Sequence, residues 1–212
     1  MAKRSEKVAA LYERFLRKPP QQSRSKTLVD AVLRAATELV AKQDEEALTI
    51  QDVADRAGVG VGSLYDYFRD RRSILSGLAA KLTQENLGRF EAELSVTQEL
   101  PLEEAVSRIT ALLVGTYLED VRIPRAVLRI AHRTGLMPTL AESQATFARA
   151  LASWLRRRSD VRVADVDAAA WMITNMAMGA VHAFIWSESP EISVEQLRTE
   201  LVRAIVAYLE RA

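Results

Sequence analysis

The sequence predicts an all-α protein in which an N-terminal three-helix helix-turn-helix unit precedes a larger helical domain. Three observations carry that expectation. Apolar residues recur at helical spacing in nearly every segment, and no alternating run is long enough for a strand. Prolines sit where helices begin or end (Pro19-Pro20, Pro101, Pro124, Pro138), because a helix tolerates a missing amide only in its first turn. A glycine, Gly58, separates two short amphipathic stretches.

Taken in order, residues 6–17 place Val8, Leu11, Phe15 and Leu16 along one face, a short amphipathic helix with a basic far side that Pro19-Pro20 ends. The polar stretch 21–26 reads as a linker. A helix over 27–43 carries Leu28, Val32, Ala35, Ala36 and Leu39 on one face and stops at Asp44-Glu45-Glu46. Short helices follow at 50–57 and 61–67, then a long one over 72–94. Further helices are expected at 101–119, 124–133, 138–158, 165–186 and 193–211.

The bulk composition narrows the class. At 212 residues and 49% hydrophobic content the chain can bury a sizeable core. It has no cysteine, so disulfides and thiolate metal sites are excluded and the cytoplasm is the expected compartment. Charged residues fill the first positions, Met-Ala-Lys-Arg-Ser-Glu-Lys, where a signal peptide needs an apolar run. No uncharged apolar stretch is expected to reach the ~18 residues of a membrane span, the longest being 168–181. Net charge is +1 but uneven: residues 1–26 hold eight Lys/Arg against Glu6 and Glu13. A basic arm on a mildly acidic body suits contact with a polyanion, and equally a solvated tail.

The informative segment runs from Leu48 to Phe68. Thr49 is placed to cap a helix, and Asp52 three positions later can return the bond. Ile50, Val53, Ala54 and Ala57 form its apolar stripe, with Ala54 small where a second helix must cross. Gly58 occupies a sharp turn that often needs positive φ, and Val59 plugs the corner. In the second helix Val61, Leu64 and Phe68 face the core, leaving Gly62, Ser63, Tyr65, Asp66 and Tyr67 on or near the outer side. This is a helix-turn-helix layout, whose second helix enters a major groove.

The pattern extends on both sides. From Leu28 to Leu75, with Ala35-Ala36, Thr49, Val53-Ala54, Ala57-Gly58-Val59, Gly62-Ser63-Leu64-Tyr65, Tyr67-Phe68, Arg72 and Ile74-Leu75, the sequence resembles the TetR family of regulators. The rest matches that family only in length and helical pattern. Beyond the basic extension over 1–26, the resemblance implies a DNA-binding domain over 27–71 and a ligand-binding and dimerisation domain over 72–212. It implies that Thr49 binds a phosphate, that Gly62 and Ser63 let the helix approach the duplex, and that Tyr65 and Tyr67 reach phosphates or bases. Arg72, where the family usually has lysine, would hold the DNA backbone. No cofactor or metal is implied.

The sequence departs from the family pattern at Gly60, where a serine cap is usual, at Val61, often polar or basic, and at Asp66, often histidine. Residues 49–68 carry Arg56 against Asp52, Asp55 and Asp66, so attraction to DNA must come from Arg69, Arg71, Arg72 and the arm, including Arg24 and Lys26. Asp66 either accepts from a cytosine amino group or faces solvent. Tyr65 and Tyr67, two apart, cannot both be buried; each is a DNA contact or a core residue. The arm either tracks the minor groove or docks on the body.

In the second half, helix 165–186 is apolar nearly all round, so it is expected between partners. Helix 193–211 has stripes at Leu197, Leu201, Ile205, Leu209 and at Val194, Val202, Val206. By resemblance these two helices pair with their symmetry mates in a homodimer, which implies a palindromic operator in double-stranded DNA. A small-molecule effector cavity is expected among helices 102–119, 125–133, 139–158 and 165–186. Thr116, Tyr117, His132, Phe147, Trp171, Asn175, Met178 and His182 are its candidate lining; each could instead be a satisfied core or interface side chain. On the same resemblance, effector binding tilts the helix beginning near Arg72 so that the paired heads lose the groove spacing.

An enzyme is disfavoured by two histidines, no cysteine, no glycine-rich phosphate loop, no metal-ligand spacing and no paired carboxylates in apolar context. Arg156-Arg157-Arg158 ends a helix, where cations suit the dipole, with a bound anion as the other reading. The remaining alternative is a helical ligand-binding or adaptor protein that has lost specific DNA binding.

Overall fold

The computed structural model describes residues 14–42 and 47–210, and among them every regular element is an α-helix. In chain order they are α1 (Ser23–Val40), α2 (Ile50–Ala57), α3 (Val61–Tyr65), α4 (Arg71–Val96), α5 (Leu102–Leu118), α6 (Arg122–Thr134), α7 (Met137–Leu155), α8 (Val166–Trp186) and α9 (Val194–Glu210). They divide into two compact units. One holds the described residues up to Glu85 together with Arg122–Met137; the other holds Asn86–Val121 and the described residues from Pro138. The first unit thus takes in more chain than the 27–71 segment.

In the first unit α1 supplies Val29, Val32, Leu33 and Ala36 to a core completed by Leu48, Val53, Ala54, Leu64, Phe68, Ile74 and Leu78. Helix α6 joins it through Ala126 and Ile130. Leu33, Leu64 and Phe68 are fully buried, and each such side chain contributes about 1.5–3 kcal/mol relative to exposure. Ion pairs bind the outside: Lys81 to Asp30 at 2.7 Å, and Arg56 to Glu38.

Among the described helices the largest shift from the expected boundaries is at the start of α1. Helix α1 begins at Ser23, because Ser25 Oγ accepts from the Gln22 amide at 3.2 Å and donates to the Gln22 carbonyl at 2.8 Å. The polar composition that suggests a linker is therefore helix-capping chemistry. The helix expected at 6–17 falls largely outside the described residues, and its described end, 14–17, is turn and bend.

The second unit is built on Trp154 and Leu155 of α7, with Leu94, Leu102, Val106, Ile173, Ile205 and Leu209 packed around them. Arg158, just beyond α7, has an almost wholly buried side chain. Its guanidinium donates to the Thr97 (3.3 Å), Gln98 (3.0 Å) and Leu100 (2.8 Å) carbonyls, pairs with Asp160 and lies 4.6 Å from the Trp154 ring. It ties down the loop from α4 to α5, while Arg157 donates to Gln98 Oε1 and Arg156 pairs with Asp167. The triple arginine has protein partners at each position.

Helix α8 corrects one expectation. By length and composition alone it could cross a bilayer. The uncharged run extends from Ala168 to Ser187, because Thr174, Asn175 and His182 interrupt its apolarity without adding charge. In this unit α8 packs on α5 and α9 through Ala169, Ala170, Ile173, Ala177, Val181 and Ile185.

Candidate nucleic-acid interface

The capping chemistry at the start of α2 fixes where that helix begins. Thr49 Oγ1 accepts from the Asp52 amide at 3.1 Å, and the Asp52 carboxylate accepts from the Thr49 amide at 3.0 Å and its hydroxyl at 2.6 Å. The hydroxyl first, then the amide, hold the Asp52 carboxyl below the usual carboxylate range, so it is ionised at the positive end of the helix. At the other end Gly58 takes φ +67, the left-handed conformation that glycine adopts without strain. Its amide bonds back to the Asp55 carbonyl at 3.2 Å, and the Val59 amide to Ala54 at 3.0 Å. The chain thereby reverses into α3.

Helix α3 is about one turn and a half long. Leu64 is fully buried inside it, as is Phe68 just beyond, while Gly62, Ser63, Tyr65 and Asp66 are exposed. Tyr67 is half-buried against the core, so of the two tyrosines Tyr65 is the outward one. Asp70 then starts α4: its carboxylate accepts from the Ser73 amide at 2.7 Å, and Ser73 Oγ accepts from the Asp70 amide at 3.1 Å.

The arm docks on this head. Leu16 is buried in the core of the first unit. The Arg17 amide donates to the Tyr67 carbonyl at 2.8 Å, and Arg17 Nη1 to the Tyr65 carbonyl at 3.0 Å. Lys18 Nζ stands 5.0 Å from the centre of the Tyr67 ring. Neither Arg17 nor Lys18 stands among the residues the sequence singles out; the apolar Leu16 beside two cations and ahead of Pro19-Pro20 is the available signal.

All ten residues expected at the DNA interface lie in the first unit. Thr49, Gly62, Ser63, Tyr65, Asp66, Arg69, Arg72, Arg24 and Lys26 are exposed, and Tyr67 is half-buried. Arg24 and Lys26 sit in the first turn of α1, which carries no acid. Cations at a helix's positive end oppose its dipole, so neither gains stability from it. Arg72 donates to the Thr134 carbonyl at the end of α6.

The eight effector candidates do not all fall together. His132 is exposed on α6 in the first unit, whereas the other seven lie in the second. Trp171 is exposed on α8 beside Met172. Thr116, Tyr117, Phe147, Asn175, Met178 and His182 are half-buried. Desolvation pushes the Tyr117 hydroxyl up in pKa, with a hydrogen bond to Asn86 partly offsetting it. Phe147 packs on Phe90 with ring centres 5.3 Å apart. Asn175 Nδ2 donates to the Trp171 carbonyl at 2.8 Å, and desolvation lowers the His182 pKa.

A capped helix, a positive-φ turn and a short second helix with an exposed small-residue face define a helix-turn-helix regulator. Residues 32–78 match the family of bacterial regulatory proteins of the tetR type, and residues 101–209 match the tetracyclin repressor-like C-terminal domain. The chain belongs to the TetR family. The HTH-type transcriptional regulator BetI of Escherichia coli O17:K52:H18 is 30% identical over 109 residues, 51% of this chain and 52% of the relative. The match thus spans about half the length of the curated relatives. Among solved structures, a TetR-family transcriptional regulator from Mesorhizobium loti superposes with a TM-score of 0.73 at 17% identity, over 89% of this chain and 98% of that one. The TetR family repressor AlkX from a Dietzia strain, implicated in biodegradation of n-alkanes, gives 0.61 at 23% identity over 86% and 96%. At those identities the likeness is one of fold.

Proposed function

We propose that the protein is a homodimeric, cytoplasmic repressor that reads a palindromic operator in double-stranded DNA through α2 and α3 and is released by a small-molecule effector bound in the second unit. The carrying observation is the exposed face of α3. Gly62 and Ser63 leave room for a phosphate backbone and Tyr65 projects outward, while Leu64 is held at full burial. Exposed cations at Arg24, Lys26 and Arg69 supply the attraction that acidic residues 49–68 lack. Twofold pairing is supported by the apolar side chains α8 leaves in solvent: Trp171, Met172, Met176 and Trp186. Phe90, Phe147 and Met178, with Tyr117 and His182, favour a largely apolar effector with one or two polar groups.

The test is fluorescence anisotropy of the full chain on DNA from upstream of its own gene, with competitor DNA and a salt series from about 50 to 200 mM. Binding that survives competitor, falls with salt and is lost in Tyr65→Ala supports the reading. No affinity above the nonspecific level at low salt refutes it and leaves a helical adaptor.

A further inference from the structure

Arg17 and Lys18 join the reading head in a way the helix-turn-helix itself does not require. Helix α3 has five residues, and its last turn ends on carbonyls with few helical donors left to satisfy them. The carbonyl of Tyr65, the last residue of α3, accepts from the Arg17 guanidinium at 3.0 Å, and that of Tyr67, two residues beyond the helix, accepts from the Arg17 amide at 2.8 Å. The guanidinium also brings positive charge to the negative end of α3, where it is favourable. Leu16 anchors the arrangement by burial in the same core as Leu64 and Phe68. Lys18 follows with its ammonium over the Tyr67 ring at 5.0 Å, fixed at the edge of the recognition segment. The segment it borders is itself acidic, with Asp52, Asp55 and Asp66 against Arg56.

We propose that residues 14–18 are a built part of the DNA-reading head, in which Arg17 is a positioning residue that holds the C-terminal turn of α3 and Lys18 is a cation placed for a DNA phosphate. The arm in this account acts from a docked position beside α3. Arg17 and Lys18 have different duties: loss of Arg17 loosens the reader, whereas loss of Lys18 removes one charge contact. The inference rests on the proposed DNA-binding function for Lys18, and on the free protein's geometry for Arg17.

Two measurements on the full chain separate these duties. In the first, amide hydrogen exchange is followed at residues 65–68 without DNA. Arg17→Ala should speed exchange there about fivefold, the factor one net hydrogen bond represents, and Arg17→Lys should restore most of the protection because a lysine can still donate to the Tyr65 carbonyl. Exchange unchanged in Arg17→Ala overturns the bracing role whatever the protein binds. In the second, anisotropy is measured on a duplex selected by the wild-type protein from a random pool, and on random-sequence duplex. Lys18→Ala should weaken both alike and flatten the salt slope by about 0.9 units. Arg17→Ala should lower the ratio of selected to random affinity, with Arg17→Lys recovering it. An unaltered salt slope in Lys18→Ala overturns the phosphate contact. An equal loss on both duplexes in Arg17→Ala makes Arg17 a plain charge and overturns positioning. If wild type selects no duplex, the DNA-binding function itself fails and Lys18 with it, while the exchange result still decides Arg17.

Discussion

Replacing Gly58 with alanine isolates the turn between α2 and α3. Its φ of +67 is a conformation in which an L-residue brings Cβ against the following carbonyl, at a cost of about 1–2 kcal/mol. No heavy atom lies within 4 Å of where that Cβ would stand, so no steric clash with the surroundings adds to the backbone cost. Alanine also restricts the unfolded chain, which returns about 0.4–1 kcal/mol. The expected net loss is therefore about 1 kcal/mol, or roughly 2–4 °C in melting temperature for a chain of this size. Gly58→Asn, which tolerates the left-handed region better, should lose less. Thermal melting followed by far-UV ellipticity reads both variants. An alanine variant more stable than wild type would show that the turn does not hold this conformation in solution; a loss above about 3 kcal/mol would require a contact that the open space around Gly58 does not offer.

Arg158→Ala should be far costlier than its neighbour Arg157→Ala. The first strands the Thr97, Gln98 and Leu100 carbonyls and is expected to lose about 2–4 kcal/mol, whereas the second breaks an exposed bond to Gln98 worth about 0.5 kcal/mol. Equal costs in urea titrations would contradict the tethering role. His182 has its pKa depressed by desolvation below the ordinary 6.5. Between the two values the unfolded chain binds more protons than the folded one, so stability falls as pH drops through about 6.5. His182→Gln should flatten that part of the acid dependence, and an unchanged urea midpoint profile would remove His182 as its source. Met176→Glu places charge on the exposed apolar face of α8, 39% accessible in the single chain. It should leave folding nearly intact and shift sedimentation from dimer towards monomer; a variant that sediments like wild type would place the pairing surface elsewhere.

Much of the fold is legible in the sequence because its elements end on side-chain signals. Thr49 and Asp52 announce α2, Gly58 marks its end, and Pro101, Pro124 and Pro138 mark the starts of α5, α6 and α7, because those residues act on the backbone locally. The start of α1 is hidden, since Gln22 and Ser25 have the composition of a linker and become a cap only through their mutual hydrogen bonds. The arm's docking is hidden for a related reason: Arg17 binds backbone carbonyls, which every residue carries and no sequence pattern marks. The spacing of Tyr65 and Tyr67 shows that they cannot share one environment; that Tyr67 is the one packed on the core, which includes Leu16, with Lys18 over its ring, is a tertiary outcome. The effector candidates are the least legible, since half-buried polar side chains on apolar helices look alike whether they meet a ligand or each other.

The central proposal, that the exposed face of α3 meets DNA, is tested most directly by Gly62→Ala. Gly62 lies in a helix without positive φ, and a Cβ there would meet nothing within 4 Å. For folding alone, alanine is better by about 0.5–1 kcal/mol. On DNA the added methyl would stand where the backbone must approach. Measured on one preparation by melting and by anisotropy, the variant should be more stable than wild type and bind the selected duplex about tenfold more weakly, the factor about 1.4 kcal/mol of steric cost represents. A variant that is more stable and binds equally well would contradict the claim that this face of α3 meets DNA.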